Sequence, residues 1–352
     1  MTNRPFASFI KELMPSDLRS GNPDMPVSVW KELDRIEGKK EDTVVAIFRT
    51  RGCSWYNYSS CSMCGYFNDI DLSITAENLY RQIDHVGQSL NGIKVLKIFT
   101  SGSFLDPIEI PPDVREYFMN TVGSKIDTLL VESRTEYIRE DNIRDLGKYG
   151  PAIRIAIGLE STNDNIISNS INKGSTFAKY KTSALTARKL GYTVRTYLLF
   201  KPPFITEKDA IADMIHSISD IDGFTDDISV NPMNVQKNTF VEYLWKRHLY
   251  RPPRLWSLAR ILLDTRKPGR TVISYPTGGN KERGVHNSKP DRDLLDLIVS
   301  SSLSQDFSEL ESYYKTSNLR SYEEEIELEA RLVSDMDIDV LSKRSVGYSI
   351  KV

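Results

Sequence analysis

One feature constrains this chain more than any other: short apolar, β-branched runs alternate with helix-length stretches. The runs are Thr43-Val44-Val45-Ala46-Ile47-Phe48, Val95-Leu96-Lys97-Ile98-Phe99, Thr128-Leu129-Leu130-Val131, Ile153-Arg154-Ile155-Ala156-Ile157, Val194 to Phe200, and Asp227-Ile228-Ser229-Val230. Each reads as a buried strand. Helical segments are expected over 76–90, 138–149, 176–190 and 207–219. Such alternation builds a parallel sheet with right-handed crossovers. Six units fit an α/β fold, a partial (β/α)6 barrel.

In barrels of this kind, chemistry sits at the C-terminal ends of the strands. The polar motifs of this chain follow its strands directly. They are the cysteine loop 51–66, Thr100-Ser101-Gly102-Ser103, Glu132-Ser133-Arg134, Gly158-Leu159-Glu160-Ser161, Lys201-Pro202-Pro203, and Asn231-Pro232-Met233-Asn234-Val235-Gln236. One mouth is therefore expected to hold a site. Residues 1–40 read as an N-terminal helical extension, with Trp30-Lys31-Glu32-Leu33 amphipathic. Residues 41–240 form the barrel, and 241–352 a smaller C-terminal α+β extension. That extension includes a strand near Arg270 to Tyr275 and a charged helical tail over 303–345.

The chain has 352 residues, of which 39% are hydrophobic, and a formal net charge of −2. This gives ample core and no global field that would draw nucleic acid, although local asymmetry stays open. No apolar run is long enough to span a bilayer. Met1 to Phe6 lack a signal-peptide apolar region, so a cytoplasmic location is expected.

All three cysteines lie in one segment, as Cys53-x7-Cys61-x2-Cys64. An odd number so closely spaced is a poor disulfide framework. Three thiolates can bind three irons of a [4Fe–4S] cubane. The fourth iron then stays open to chelate the amino and carboxylate groups of S-adenosylmethionine (SAM). The bland alternatives are a structural zinc site or three unligated thiols. Zinc wants a fourth ligand, and His85, His216, His248 and His286 are all distant in sequence.

The cysteine loop, with Ser101-Gly102-Ser103-Phe104-Leu105-Asp106, Val131 to Tyr137, Ile157 to Ser161, Asn231 to Gln236 and Tyr250-Arg251-Pro252-Pro253, resembles the radical SAM superfamily. Its long first gap departs from the common Cys-x3-Cys-x2-Cys spacing and is similar to the Elongator branch. Within that branch it resembles the radical SAM subunits of archaeosine synthases. The resemblance spans roughly residues 45–290. It implies an archaeal source and a tRNA substrate, in which a lysine adduct on 7-deazaguanine is cleaved at a carbon–nitrogen bond to give archaeosine. It also implies a lysine-transferring partner subunit and an electron donor. Radical SAM chemistry on another tRNA or a small molecule, and a non-catalytic zinc module, are the competing readings.

Cys53, Cys61 and Cys64 are the expected cluster ligands. Met63 is placed to pack on adenine, or is a plain apolar loop residue. Ser101, Gly102 and Ser103 let backbone approach the methionine end of SAM, or form an ordinary turn. Glu132 and Glu160 could accept from ribose hydroxyls or a substrate ammonium, or pair with Arg134, Arg154 or Arg195. Asn231, Asn234 and Gln236 carry amides able to read a base edge, but amides also favour turns. Lys281, Arg283, His286 and Lys289 crowd one glycine-containing loop that could hold tRNA phosphates. Glu282, Asp291 and Asp293 dilute that charge, so a solvated charge run is the alternative.

Overall fold

The computed structural model describes residues 4–15 and 21–332. Its sheet has eight strands in sequential order: β1 (Ser28–Ile36), β2 (Lys39–Ile47), β3 (Val95–Phe99), β4 (Thr128–Ser133), β5 (Ala152–Glu160), β6 (Thr193–Phe200), β7 (Asp227–Pro232) and β8 (Val272–Ile273). The strands from β2 to β8 are parallel, and β1 runs antiparallel to β2. The helices are α1 (Arg4–Glu12), α2 (Ser54–Tyr58), α3 (Ala76–Gln88), α4 (Pro112–Val122), α5 (Glu140–Ile143), α6 (Phe177–Lys189), α7 (Glu207–Asp220), α8 (Phe240–Trp245), α9 (Leu255–Thr265), α10 (Arg292–Ser304), α11 (Ser308–Thr316) and α12 (Arg320–Leu332). The sheet curls into a partial α/β barrel, with the six expected strands as β2 to β7. The expected strand near 270–275 is β8. Part of the expected helical tail, 333–345, lies outside the described residues.

Two expectations need correction. Trp30-Lys31-Glu32-Leu33 is strand, not helix. Glu37 (φ 48°) and Gly38 (φ 81°) close a two-residue hairpin that pairs Ile36 with Lys39. Such left-handed pairs match the twist of the flanking strands. The second correction concerns 138–149, which is not one helix. It is α5 followed by a 3₁₀ turn at Leu146–Tyr149, ending on Gly150 at φ 110°. Gly147 and Gly150 remove the backbone restriction a continuous helix would need.

The outer face of the sheet packs on the helices through buried aliphatic residues such as Val44, Leu96, Leu129, Ile155 and Val194. Thr75, Thr176, Thr206 and Asp291 accept from backbone amides in the first turns of α3, α6, α7 and α10. Each such cap is worth roughly 1 kcal/mol. A second apolar cluster joins Phe6 and Ile10 of α1 to Phe240, Val241 and Leu244 of α8, with Cys61 and Met63 packed against it. Burying each large side chain stabilises by ~1.5–3 kcal/mol. This cluster backs the cysteine loop, and Lys11 donates to the Tyr56 carbonyl at 2.7 Å.

The lumen carries a layer of paired charge. Arg195 on β6 bonds Asp34 on β1 (2.7 Å) and Asp227 on β7 (2.8 Å). Asp227 also pairs with Arg154 on β5. Lys97 on β3 bridges Asp34 (3.1 Å) and Glu32 (2.6 Å), both on β1. Three cations, Lys97, Arg154 and Arg195, thus meet three anions, Glu32, Asp34 and Asp227. Burial works to raise the Asp34 carboxyl, but Arg195 and Lys97 outweigh it and hold the group well below the usual carboxylate range.

Candidate active site

The cysteine loop leaves β2 through Gly52, at φ 93°. A Cβ there would meet the Ile70 side chain at 2.9 Å, so the turn and the packing both require glycine. Cys53 then caps α2, and Cys61 and Cys64 follow it. The loop is fastened to the segment after β5. Asn172 donates to Ser59 Oγ (3.0 Å) and the Ser60 carbonyl (2.7 Å). Ser62 N donates to the Ile171 carbonyl (2.8 Å), and Trp55 Nε1 to the Asn172 carbonyl (2.9 Å).

Glu109 ties this loop to the one after β3. Its carboxyl accepts from Thr50 Oγ1 (2.6 Å), Gly102 N (3.1 Å) and Ser103 N (2.5 Å). Burial pushes this carboxyl up to about 7, against the hydrogen bonds from Thr50 and the Ser103 amide. Gly102 lies so close to Cys53 that a Cβ would stand 2.6 Å from Cys53 Cα. Ser103 differs from expectation: it is fully buried, and its Oγ accepts from Arg134 N at 2.8 Å. It supports the wall instead of facing the cavity.

Cys53, Cys61 and Cys64 line one cavity of about 420 Å³, with Met63, Ser101, Gly102, Glu132, Glu160, Asn231, Asn234 and Gln236. The three thiols, the loop after β3 and the amide-rich loop after β7 thus meet at one mouth. Burial pushes the Cys61 thiol up to about 12 against the fields of Lys173 and Arg134, and raises Cys53 and Cys64 as well. Binding to iron would remove these protons, since the thiolate is the ligand. Among the described residues, no three His, Cys, Asp or Glu side chains converge on a single-ion site. Three thiols around one void suit three separate irons of a cubane, and that donor set fits.

Neither glutamate makes the arginine pair that was its alternative. Glu160 sits at a β-bulge with φ 76° and bonds Lys173 at 2.6 Å. A left-handed non-glycine at a strand end is a strained position of the kind found at functional sites. Glu132 is hydrogen-bonded to Tyr197, and burial pushes its carboxyl up to about 8 against that bond and the charge of Lys97. Arg154 and Arg195 instead belong to the paired-charge layer.

The basic loop is split. Lys281 and Lys289 are exposed. Arg283 bonds Glu242 at 2.7 Å and lies 4.6 Å over the Trp245 ring. His286 Nδ1 lies 2.8 Å from the Gly284 carbonyl. Arg283 and His286 therefore hold the loop's own fold.

Several residues that line or brace the cavity were not singled out by sequence reasoning: Lys173, Tyr197, Glu109, Lys97 and Glu32. A signal existed for Lys97, because a lone charge inside an apolar strand must face a partner. Lys173 and Glu109 lie in loops without periodicity and carried none.

A profile of the Radical SAM superfamily matches residues 47–215. The archaeosine synthase subunit beta of Methanosarcina acetivorans is 36% identical over 301 residues, covering 81% of this chain and 85% of that one. The chain belongs to this radical SAM family. The archaeosine synthase subunit beta of Thermococcus kodakarensis is 33% identical over 299 residues, covering 81% of this chain and 92% of that one. Among solved structures, the Elp3 of the archaeon Methanocaldococcus infernus is similar at 15% identity and a TM-score of 0.49, covering 72% of this chain and 61% of that one. Membership in the radical SAM superfamily implies a [4Fe–4S] cluster and SAM. Among the described residues, no helix of this family member is long and apolar enough to cross a membrane.

Proposed function

We propose that this protein is the radical SAM subunit of an archaeosine-forming system, acting on tRNA. It would cleave a carbon–nitrogen bond of a lysine adduct on 7-deazaguanine, leaving archaeosine. A separate lysine-transferring subunit and an electron donor would serve it. The observation that carries this reading is the 36% identity to an archaeosine synthase subunit beta across 85% of its length.

Cys53, Cys61 and Cys64 would hold the cluster, and Glu109 keeps the first of them against Gly102. When bound, the cluster and SAM together supply a carbon radical that abstracts hydrogen. The residues of this chain bind and orient. Met63, Ser101, Gly102 and the Glu160–Lys173 pair line the mouth where SAM would lie. Asn231, Asn234 and Gln236 present amide donors and acceptors to a base edge. Lys281 and Lys289, in the 241–352 extension, are free to meet phosphate.

The test is mass spectrometry of tRNA nucleosides after anaerobic incubation with reconstituted protein, SAM, reductant and lysine-bearing tRNA. Archaeosine is the expected product, lost when the three cysteines are changed to Ala. An untouched lysine adduct in the presence of full SAM cleavage would sink the reading.

A further inference from the structure

The polar groups of the cavity fall into two tiers. One surrounds the cysteines. The other is the floor, built from Trp30 and Glu32 of β1, Lys97 of β3 and Tyr275 just after β8, all lining the same void. Beneath the floor, Asp34 has no exposure, and Arg195, which also borders the void, has almost none. Glu32 is different: its side chain keeps 30% exposure while its partner Lys97 keeps 6%.

We propose that this floor is a subsite for a free α-amino-acid head, its ammonium on Glu32 and its carboxylate on Lys97. The proposal rests on the lyase reading above and names the part of the substrate the floor recognises. A lysine joined to the base through its side-chain nitrogen ends in such a zwitterion, on an apolar stem that Phe99 and Ala156 of the same cavity could flank.

The donor and acceptor inventory supports it. A carboxylate offers about four acceptor sites. Glu32 uses one oxygen for Trp30 Nε1 (2.8 Å) and the other for Lys97 (2.6 Å), so acceptor sites remain. An ammonium has three donors, and Lys97 spends one each on Glu32 and Asp34. One Lys97 donor therefore remains for a carboxylate. The Tyr275 hydroxyl is enclosed beside Asp34 and the Arg35 backbone, so only its ring borders the void. An adjacent acid and base match a zwitterion. A purely anionic ligand would meet Glu32, and a purely cationic one Lys97, as a like charge.

The experiment uses reconstituted protein and three tRNAs whose base carries a lysine arm, a cadaverine arm lacking the carboxylate, or a 6-aminohexanoate arm lacking the ammonium. In the wild type, both truncated arms should raise KM about tenfold or more. Glu32→Gln should raise KM about tenfold for the lysine arm, change the aminohexanoate arm less than twofold, and affect kcat less than KM. Lys97→Gln should mainly raise KM for the two arms that keep a carboxylate. Equal effects of both variants on all three arms, or none, would overturn the subsite while leaving the lyase intact. Equilibrium binding is measured in parallel. Should no arm be cleaved, the lyase reading fails, and binding alone decides the floor. Tighter binding of lysine-bearing than of unmodified tRNA, erased by Glu32→Gln, supports it; equal wild-type affinity overturns it.

Discussion

Gly102→Ala isolates the contact on which the cysteine loop rests. The added Cβ would stand 2.6 Å from Cys53 Cα, 2.8 Å from Cys53 Cβ and 2.7 Å from Glu109 Oε2. Ordinary carbon contacts begin near ~3.5 Å, so the two backbones must separate by roughly 0.9 Å. Neither side yields easily. Gly102 and Thr50 are both bonded to Glu109, and Cys53 opens a helix whose Trp55 is anchored to Asn172. Overpacking of this kind typically costs ~1–3 kcal/mol, a modest loss of stability for a chain with so large a core. The functional loss should be greater, because a displacement of about 1 Å at a reacting centre can cost about 100-fold. The assay is iron and sulfide content after anaerobic reconstitution, 5′-deoxyadenosine formation, and a thermal melt. Gly223→Ala is the control, since nothing lies within 4 Å of its Cβ. Gly102→Ala should melt as a folded protein yet form 5′-deoxyadenosine about 100-fold more slowly. Full iron content with wild-type cleavage would refute the packing argument.

Arg195→Met should destabilise by ~3–5 kcal/mol in a denaturant titration, because Asp34 and Asp227 would each lose a buried partner; a loss under 1 kcal/mol would show that the charge layer relaxes freely. Glu132→Gln should change the pH dependence of stability. The folded carboxyl sits near 8, above its unfolded value, so the wild type loses stability as pH rises from about 4.5 through 8. The variant should lack that loss, on the order of 3 kcal/mol after allowing for water at the cavity face; parallel melts from pH 5 to 9 check it, and identical slopes would count against a buried acid. Lys281→Ala with Lys289→Ala should lower the salt slope of tRNA binding by about 1.4–1.8, two phosphate contacts at ~0.7–0.9 each. Arg283→Ala should instead lower stability through Glu242 and Trp245, with little change in that slope.

Strands β2 to β7 were legible because each is a continuous β-branched run, and their polar successors marked the mouth. Strand β1 was not, because its inward side chains include Glu32 and Asp34, whose partners lie on strands far away in sequence. Its alternation therefore resembled a solvated helix face. The Glu37-Gly38 pair was the available clue, a two-residue turn between segments of equal length. At the site, cysteine spacing pointed to one cavity because a cluster needs several thiols together. The Glu160–Lys173 and Glu109 contacts were hidden, since they depend on a bulge and on loop paths that no period encodes. Ser103 and Arg283 show the converse: polar residues beside candidate site residues whose own work is to hold the backbone.

The sheet is open, with β1 at one edge and β8 at the other. A closed barrel has its girth set by hydrogen-bonded strand spacing, ~4.8 Å per step. Here α10 packs across the gap on both β1 and β8, and the Arg195 guanidinium grips Asp34 from β6 as a strut across the lumen. The bore beside that strut is thus set by the reach of two side chains as well as by the ladder. A substitution that keeps the charge but alters that reach, such as Asp34→Glu, would act as a gauge change: the lumen would be resized without breaking a single backbone hydrogen bond.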